Sequence, residues 1–334
     1  MKAIVRYQPL PIDHPESLVD TTLPAPAPGP RDLLVRVHAV SVNPVDTKVR
    51  ANAAADGQPK VLGFDAAGVV EAVGAQVTLF KPGDRVMYAG DITRPGSNAE
   101  LQAVDERIVG RMPASLGFAE AAALPLTAIT AWELLFDRLG ITPQTTGTLL
   151  VTGAAGGVGS ILVQLARQLT ALTIVGTASR PETQAWVREL GAHHVIDHSQ
   201  PLAEGLRAAG VGPVEFVASL THTDQHYAQI VEALAPQGRL GLIDDPKAPL
   251  DVMALKRKAL SLHWEMMFAR PMFQTPDMQA QHDLLERVAA LVDEGRLRTT
   301  VGEHFGAINA ANLRRAHALI ESGRAKGKLV LEGF

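Results

Sequence analysis

One stretch leaves this chain few choices of fold: VTGAAGGVGS, residues 151 to 160, where four glycines and two alanines follow directly on the apolar run TLLV. Side chains are stripped away just where a β-like run ends. The residues that follow, VGSILVQLARQL, carry Val158, Ile161, Leu162, Leu165 and Leu169 at the spacing of one helix face. A strand, a small-residue turn and a helix in that order form a tight junction, but an ordinary tight turn needs only one or two small residues. In a dinucleotide-binding turn three positions must be small. The first makes the turn, the second lets a pyrophosphate approach the backbone, and the third lets helix and strand pack closely. Ala154, Gly156 and Gly159 stand at those positions, with alanine replacing the strict first glycine. The amides and positive dipole end of the new helix favour phosphate, so Ala154, Ala155, Gly156, Gly157, Val158 and Gly159 are candidate cofactor contacts. A P-loop is excluded, because no Lys-Ser/Thr pair follows at the required spacing.

The rhythm around this stretch changes along the chain. Up to about residue 125, short β-like runs (KAIVRY, LLVRVHAVSV, AAGVVEAVG, DRVMYAG) are separated by Pro and Gly, which predicts a bent, mostly antiparallel β domain. PAPAPGP at 24 to 30 is a stiff connector. From about 126 strands and helices alternate: TLLVTG, the glycine-led helix, LTIVGT, a helix opened by Pro181, HHVID, VEFVAS, a helix near 224 to 235, and RLGLI. Alternation of this kind predicts a doubly wound parallel sheet. Beyond about 270 come two amphipathic helices and a closing β run, KGKLVLEGF; a lone last strand cannot form a sheet by itself, so the tail is expected to return to the first domain. The expected division is 1 to 125 with 270 to 334, and 126 to 269.

Composition narrows the function. With 46% hydrophobic and 20% charged residues the chain reads as globular, and a net charge of −4 without a basic cluster argues against nucleic acid or an anionic membrane as partner. Cysteine is absent, which removes disulfides, thiolate metal sites and cysteine nucleophiles. Neither a signal peptide nor an uncharged span of about 20 residues is evident, and the expected location is the cytoplasm.

About 20 residues past the glycines, where an NAD site carries an acidic residue for the ribose hydroxyl, this chain has Ala178, Ser179 and Arg180. A hydroxyl followed by a guanidinium suits a 2′-phosphate, and NADPH is expected over NADH. The competing reading makes Arg180 a solvated residue at a helix start. His222 and His226, four apart, could share a helix face, but no Glu lies between them in the metalloprotease position, and they read as surface or cofactor-edge residues.

Taken together, LLVRVHAVSVNPVDTKVR, LGFDAAGVVEAVG, KPGDRVMY, AALPLTAITAWELL, VTGAAGGVG and LGAHHVIDH resemble the medium-chain dehydrogenase/reductase superfamily over essentially the whole chain. Within it the chain is most similar to the quinone-oxidoreductase branch, among zinc-type alcohol dehydrogenase-like proteins. The resemblance implies an α/β protein with a GroES-like β-rich catalytic domain and a Rossmann domain. It also implies a homodimer or homotetramer, with a strand near 240 to 265 pairing across a two-fold axis. It places Asn43 and Asp46 at the nicotinamide end, in a segment whose Asn-Pro is a turn signal in its own right. It brings Tyr88 to the substrate cleft, with core or rim packing as the other reading. Thr130, Ser219, Ile243, Met267 and Phe268 match positions beside the cofactor, and His198 matches a tyrosine near the adenosine phosphate. Zinc-dependent members hold their metal at positions matching Asn43, Phe64 and about Leu126; Phe64 and Leu126 have no donor atom, so no metal is expected. The resulting expectation is a zinc-independent, NADPH-dependent reductase of a quinone or an α,β-unsaturated carbonyl. The alternatives are an alcohol or aldehyde dehydrogenase, and an NADPH-binding sensing or structural protein.

Overall fold

A computed structural model describes residues 1–52 and 57–334. The chain divides into two compact units: Met1–Ile129 with Phe268–Phe334, and Thr130–Met267. The first division falls a few residues later than the expected 125/126. The helix Pro125–Trp132 carries the chain across it, so the boundary lies inside a helix rather than in a linker. Among the described residues one helical stretch, Phe118–Arg138, is long and apolar enough to cross a membrane, but 78% of its most apolar window is packed inside the protein, as in a core helix.

The first unit opens with β1 (Lys2–Arg6), β2 (Val19–Thr22), β3 (Asp32–Val42), β4 (Lys60–Val61), β5 (Asp65–Val73), β6 (Arg85–Tyr88), β7 (Leu101–Asp105) and β8 (Val109–Arg111). The β-branched run of β3 supplies the central strand, with β5 and β7 both antiparallel to it. Its register sets Ser41 opposite Asp65 and Val40 opposite Ala66. A separate three-stranded sheet has the order β2-β1-β4.

The second unit contains β9 (Thr148–Thr152), β10 (Thr173–Thr177), β11 (His194–Ile196), β12 (Val214–Ser219), β13 (Leu234–Leu242) and β14 (Ser261–Trp264), in the order β11-β10-β9-β12-β13-β14. Every pairing is parallel. The order reverses between β9 and β12, which is where a doubly wound sheet opens a crevice at its carboxyl ends. The helices fall close to where periodicity put them, at Gly157–Leu169, Pro181–Glu189 and Thr223–Ala233.

The tail forms the helix Ala280–Asp293, β15 (Val301–His304), the helix Ala310–Glu321 and β16 (Lys328–Glu332), in that order. As the lone-strand argument required, β16 docks antiparallel on β3, setting Leu329 opposite Val42 and completing a sheet ordered β15-β16-β3-β5-β6-β8. Lys328 therefore arrives beside the end of β3, next to Asn43.

Candidate functional site: a nucleotide turn and a buried carboxylate hub

In the second unit the glycine turn is built as the sequence demands. Gly153 has φ +68°, the left-handed conformation that costs glycine nothing. A Cβ on Gly159 would lie 2.5 Å from the Gly153 oxygen and 2.6 Å from the Ala154 Cα, so only glycine allows the helix to start this close to the strand. Gly156 caps that helix without any side-chain bond to its first amides. Ala155, Gly156, Gly157 and Val158 stay partly exposed, while Ala154 is buried beneath them. This cradle fits a pyrophosphate: the amides of a helix start, a helix dipole and no side chain in the way.

Behind the turn runs a row of hydroxyls at the carboxyl ends of the strands. Thr177 Oγ1 accepts the Gly153 N–H at 3.2 Å, and Thr152 Oγ1 accepts the Leu220 N–H at 3.1 Å. Ser219 Oγ meets Thr223 Oγ1 at 2.7 Å. Asp244 accepts the Thr223 N–H at 2.9 Å and closes the N-terminus of helix Thr223–Ala233, so that helix end is already neutralised. Ser219 is thus buried and bonded to protein, and the half-buried Ile243 donates its N–H to the Ser219 oxygen.

Ser179 is exposed and Arg180 is the N-cap of helix Pro181–Glu189, its guanidinium 3.1 Å from the exposed Glu182 carboxylate. His198 packs its ring against His226 with centroids 6.0 Å apart, and both Nδ1 atoms are buried without a hydrogen-bond partner. His222 takes a left-handed conformation, φ 53°, as the cap before that helix, so the two histidines four apart do not share one helical face. Thr130 lies late in helix Pro125–Trp132 and is buried. Met267, which ends this unit, is buried too.

In the first unit the segment Asn43-Pro-Val-Asp is a helix start: Asp46 accepts the Asn43 N–H at 2.7 Å and returns its own N–H to the Asn43 oxygen. The Asn43 side chain is 1% exposed and committed to protein. Its Nδ2 donates to Asp65 Oδ2 at 2.8 Å and its Oδ1 accepts from the Lys328 ammonium. Asp65, wholly buried, also takes Lys328 Nζ at 2.7 Å, Ser41 Oγ at 2.8 Å and the Leu126 N–H at 2.7 Å. Asp46 is buried with Oδ1 unbonded, and that burial pushes its carboxyl up to about 7 against the opposing pull of the Asn43 amide and Lys328. Tyr88 does not join this hub. Its register partner is Ala66, one residue past Asp65, so it points to the other sheet face, into the apolar core, with no exposed surface. Of its two expected settings, core packing is the one found. Phe268 is also buried, its ring 5.0 Å from that of Phe64.

Zinc does not fit these residues. Phe64 and Leu126 offer no side-chain donor, and the one oxygen Asn43 could offer already faces a buried ammonium that would repel a cation. Asp65 and Lys328, the centre of this arrangement, escaped sequence reasoning. The available signals were a carboxylate inside the apolar run LGFDAAGVV and a lysine opening the apolar closing strand.

Comparison with known proteins agrees with this architecture. Residues 29–131 match the alcohol dehydrogenase GroES-like domain and residues 190–331 the zinc-binding dehydrogenase domain. A zinc-type alcohol dehydrogenase-like protein of Staphylococcus aureus is 41% identical over 92% of each chain. A quinone oxidoreductase of Pseudomonas aeruginosa is 33% identical over 91% of this chain and 92% of its own. The crystal structure of a Rhizobium etli protein, named a candidate zinc-dependent alcohol dehydrogenase, superposes with TM-score 0.96 at 60% identity, covering 100% of this chain and 98% of that one. The chain therefore belongs to the medium-chain dehydrogenase/reductase superfamily of oxidoreductases, as a zinc-type alcohol dehydrogenase-like protein whose relatives include quinone oxidoreductases and whose own residues lack the zinc donors.

Proposed function

We propose that the chain is a zinc-independent, NADPH-dependent reductase that delivers hydride to a quinone or to the β-carbon of an α,β-unsaturated carbonyl. The observation that carries this reading is the Asp65–Lys328 ion pair between positions 43 and 126, which leaves no donor set for a Lewis acid. Without one, removing the proton of an alcohol is the harder chemistry, whereas an electron-poor acceptor needs less help. Bound NADPH supplies the hydride. One hydride and one proton convert a quinone to its hydroquinone and leave NADP+. The chain's own contribution is to hold the reactants and exclude water. Asp46, with its carboxyl near 7, is a group beside Asn43 able to hold a proton at neutral pH, and solvent replenishes it. The remaining Nδ2 hydrogen of Asn43 is the donor assigned to the developing oxyanion. Ser179, Arg180 and His198 are assigned to the adenosine 2′-phosphate, supported by Ala178, Ser179 and Arg180 standing directly after β10 where a carboxylate would favour a ribose hydroxyl. A cytoplasmic homodimer or homotetramer is part of the same reading. It is supported by β14 standing at the sheet edge with Trp264 52% exposed.

The test is anaerobic NADPH oxidation by metal-stripped protein against quinones, enones and aldehydes, with and without added Zn²⁺. Turnover of quinones or enones that ignores zinc is the expected result. Zinc-dependent turnover of alcohols or aldehydes would overturn it, and tight NADPH binding with no turnover of any acceptor would point instead to a sensing role.

A further inference from the structure

The second unit buries two carboxyl groups that the reaction above does not use. Glu133 opens a π-helical turn, Glu133–Arg138, and has no exposed surface; Glu265, 3% exposed, follows directly on β14. π turns are rare and concentrate at functional positions. Arg138 reaches both carboxyls, its Nε 2.9 Å from Glu265 Oε2 and its Nη2 3.6 Å from Glu133 Oε2, so the two are gathered around one guanidinium, while Glu265 Oε1 is buried without a hydrogen-bond partner. One guanidinium cannot balance two carboxylates in so dry a place, and like charges gathered around it resist ionising together, so the pair retains a proton. Burial, then the charge of Glu133, pushes Glu265 up to about 9 against the opposing pull of Arg138. The other ionisable side chains on the neighbouring strands are turned to partners of their own: Arg239 on β13 donates to the Leu139 oxygen, and His263 on β14 hydrogen-bonds Ser261.

The placement is what gives the pair a task. The Glu265 N–H donates to the Leu242 oxygen at 2.9 Å, at the carboxyl ends of β13 and β14. These strands lie on the opposite side of the order reversal from β9 and its glycine turn. In a doubly wound sheet a dinucleotide spans that reversal, with its second half over these strands. We infer that Glu133 and Glu265 are positioning residues: sharing one proton, they tie the helix that carries Thr130 to the segment Glu265–Met267 and so hold the seat of the nicotinamide half of the cofactor. This inference rests on the proposed NADPH reading.

Loss of the shared proton sets two carboxylates against each other and releases the segment. The experiment measures dissociation constants for NADPH, NADH and 2′,5′-ADP between pH 7 and 10 with the full-length protein, its Glu265→Gln variant and its Glu133→Gln variant. Glutamine copies the shape and neutrality of the protonated acid. Expected is about a tenfold weakening of NADPH binding between pH 8 and 10 in the parent, absent in Glu265→Gln, with 2′,5′-ADP unaffected because it carries no nicotinamide. Infrared spectroscopy should show a protonated carboxyl band that persists at pH 8, above the range of Asp46, and is lost in Glu265→Gln. A limb that survives in both variants, or one that 2′,5′-ADP shares, would overturn the inference. If NADH binds and shows the same limb while NADPH does not bind, the pair stands and the NADPH assignment falls. Binding of neither nucleotide refutes both.

Discussion

Lys328→Met is expected to destabilise the first unit sharply, because it removes the ammonium that pairs with the Asp65 carboxylate. Lys328 is 2% exposed and Asp65 has no exposed surface, so water cannot replace the lost partner. At 2.7 Å the pair's attraction is about 6 kcal/mol with an effective dielectric of about 20. Desolvation offsets much of that in the intact protein. Removal of one partner leaves the other charge buried, at a typical cost of ~3–5 kcal/mol. Asp65 keeps its bonds from Ser41, Asn43 and the Leu126 N–H, which puts the cost near the low end, about 3 kcal/mol. For a unit of this size each kcal/mol moves the midpoint by ~2–4 °C, so the melting temperature should fall by about 6–12 °C. The double variant Asp65→Asn/Lys328→Met removes the orphaned charge and should recover more than half of the loss. Differential scanning calorimetry of the two single variants and the double variant closes the cycle. A Lys328→Met midpoint within about 2 °C of the parent, or losses that simply add, would refute the hub as described.

Three further expectations follow from the same geometry. Arg180→Gln should weaken NADPH by about tenfold or more and leave NADH unchanged in a fluorescence titration, since a bond to a charged group is worth ~1.5–3 kcal/mol. Gly159→Val puts a Cβ 2.5 Å from the backbone oxygen of Gly153; calorimetric titration should find nucleotide binding lost while the first unit's thermal transition is kept. His317 is buried with neither ring nitrogen bonded, and burial, helped by Arg50, pushes it down to about 3 from an ordinary 6.5. The unfolded chain thus takes up this proton more readily. The stability contribution is present above about pH 6.5 and is lost as pH falls toward 3, so His317→Leu should flatten the decline of the urea midpoint across that window.

How legible each feature was depends on how local its cause is. The turn at 153 to 159 was readable because every requirement on it, a positive φ at Gly153 and a missing Cβ at Gly159, is met by the residue at that position alone. The helices Gly157–Leu169 and Ala280–Asp293 follow from periodicity, which is also local. The return of KGKLVLEGF to the first unit could be argued because a single strand needs a partner, although nothing in it names β3 as that partner. Tyr88 could not be placed from its neighbours: alternation says that it faces away from Met87, and only the pairing with Ala66 decides which face is the core.

Sequence alone therefore determined the class of fold, the tight glycine turn between strand and helix, and the identity of the side chains at positions 64 and 126, neither of which carries a donor atom. Tertiary structure alone decided what stands there instead. Asp65 and Lys328 are 263 residues apart, and their meeting depends on strand register: β5 sets Asp65 against Ser41, and β16 sets Leu329 against Val42. The same holds for Glu133 and Glu265, which a helix turn and a strand end bring under one guanidinium. Such pairs leave no local signature, because the free energy that holds a buried charge in place comes from the partner the fold delivers, and that partner is specified by apolar packing elsewhere in the chain.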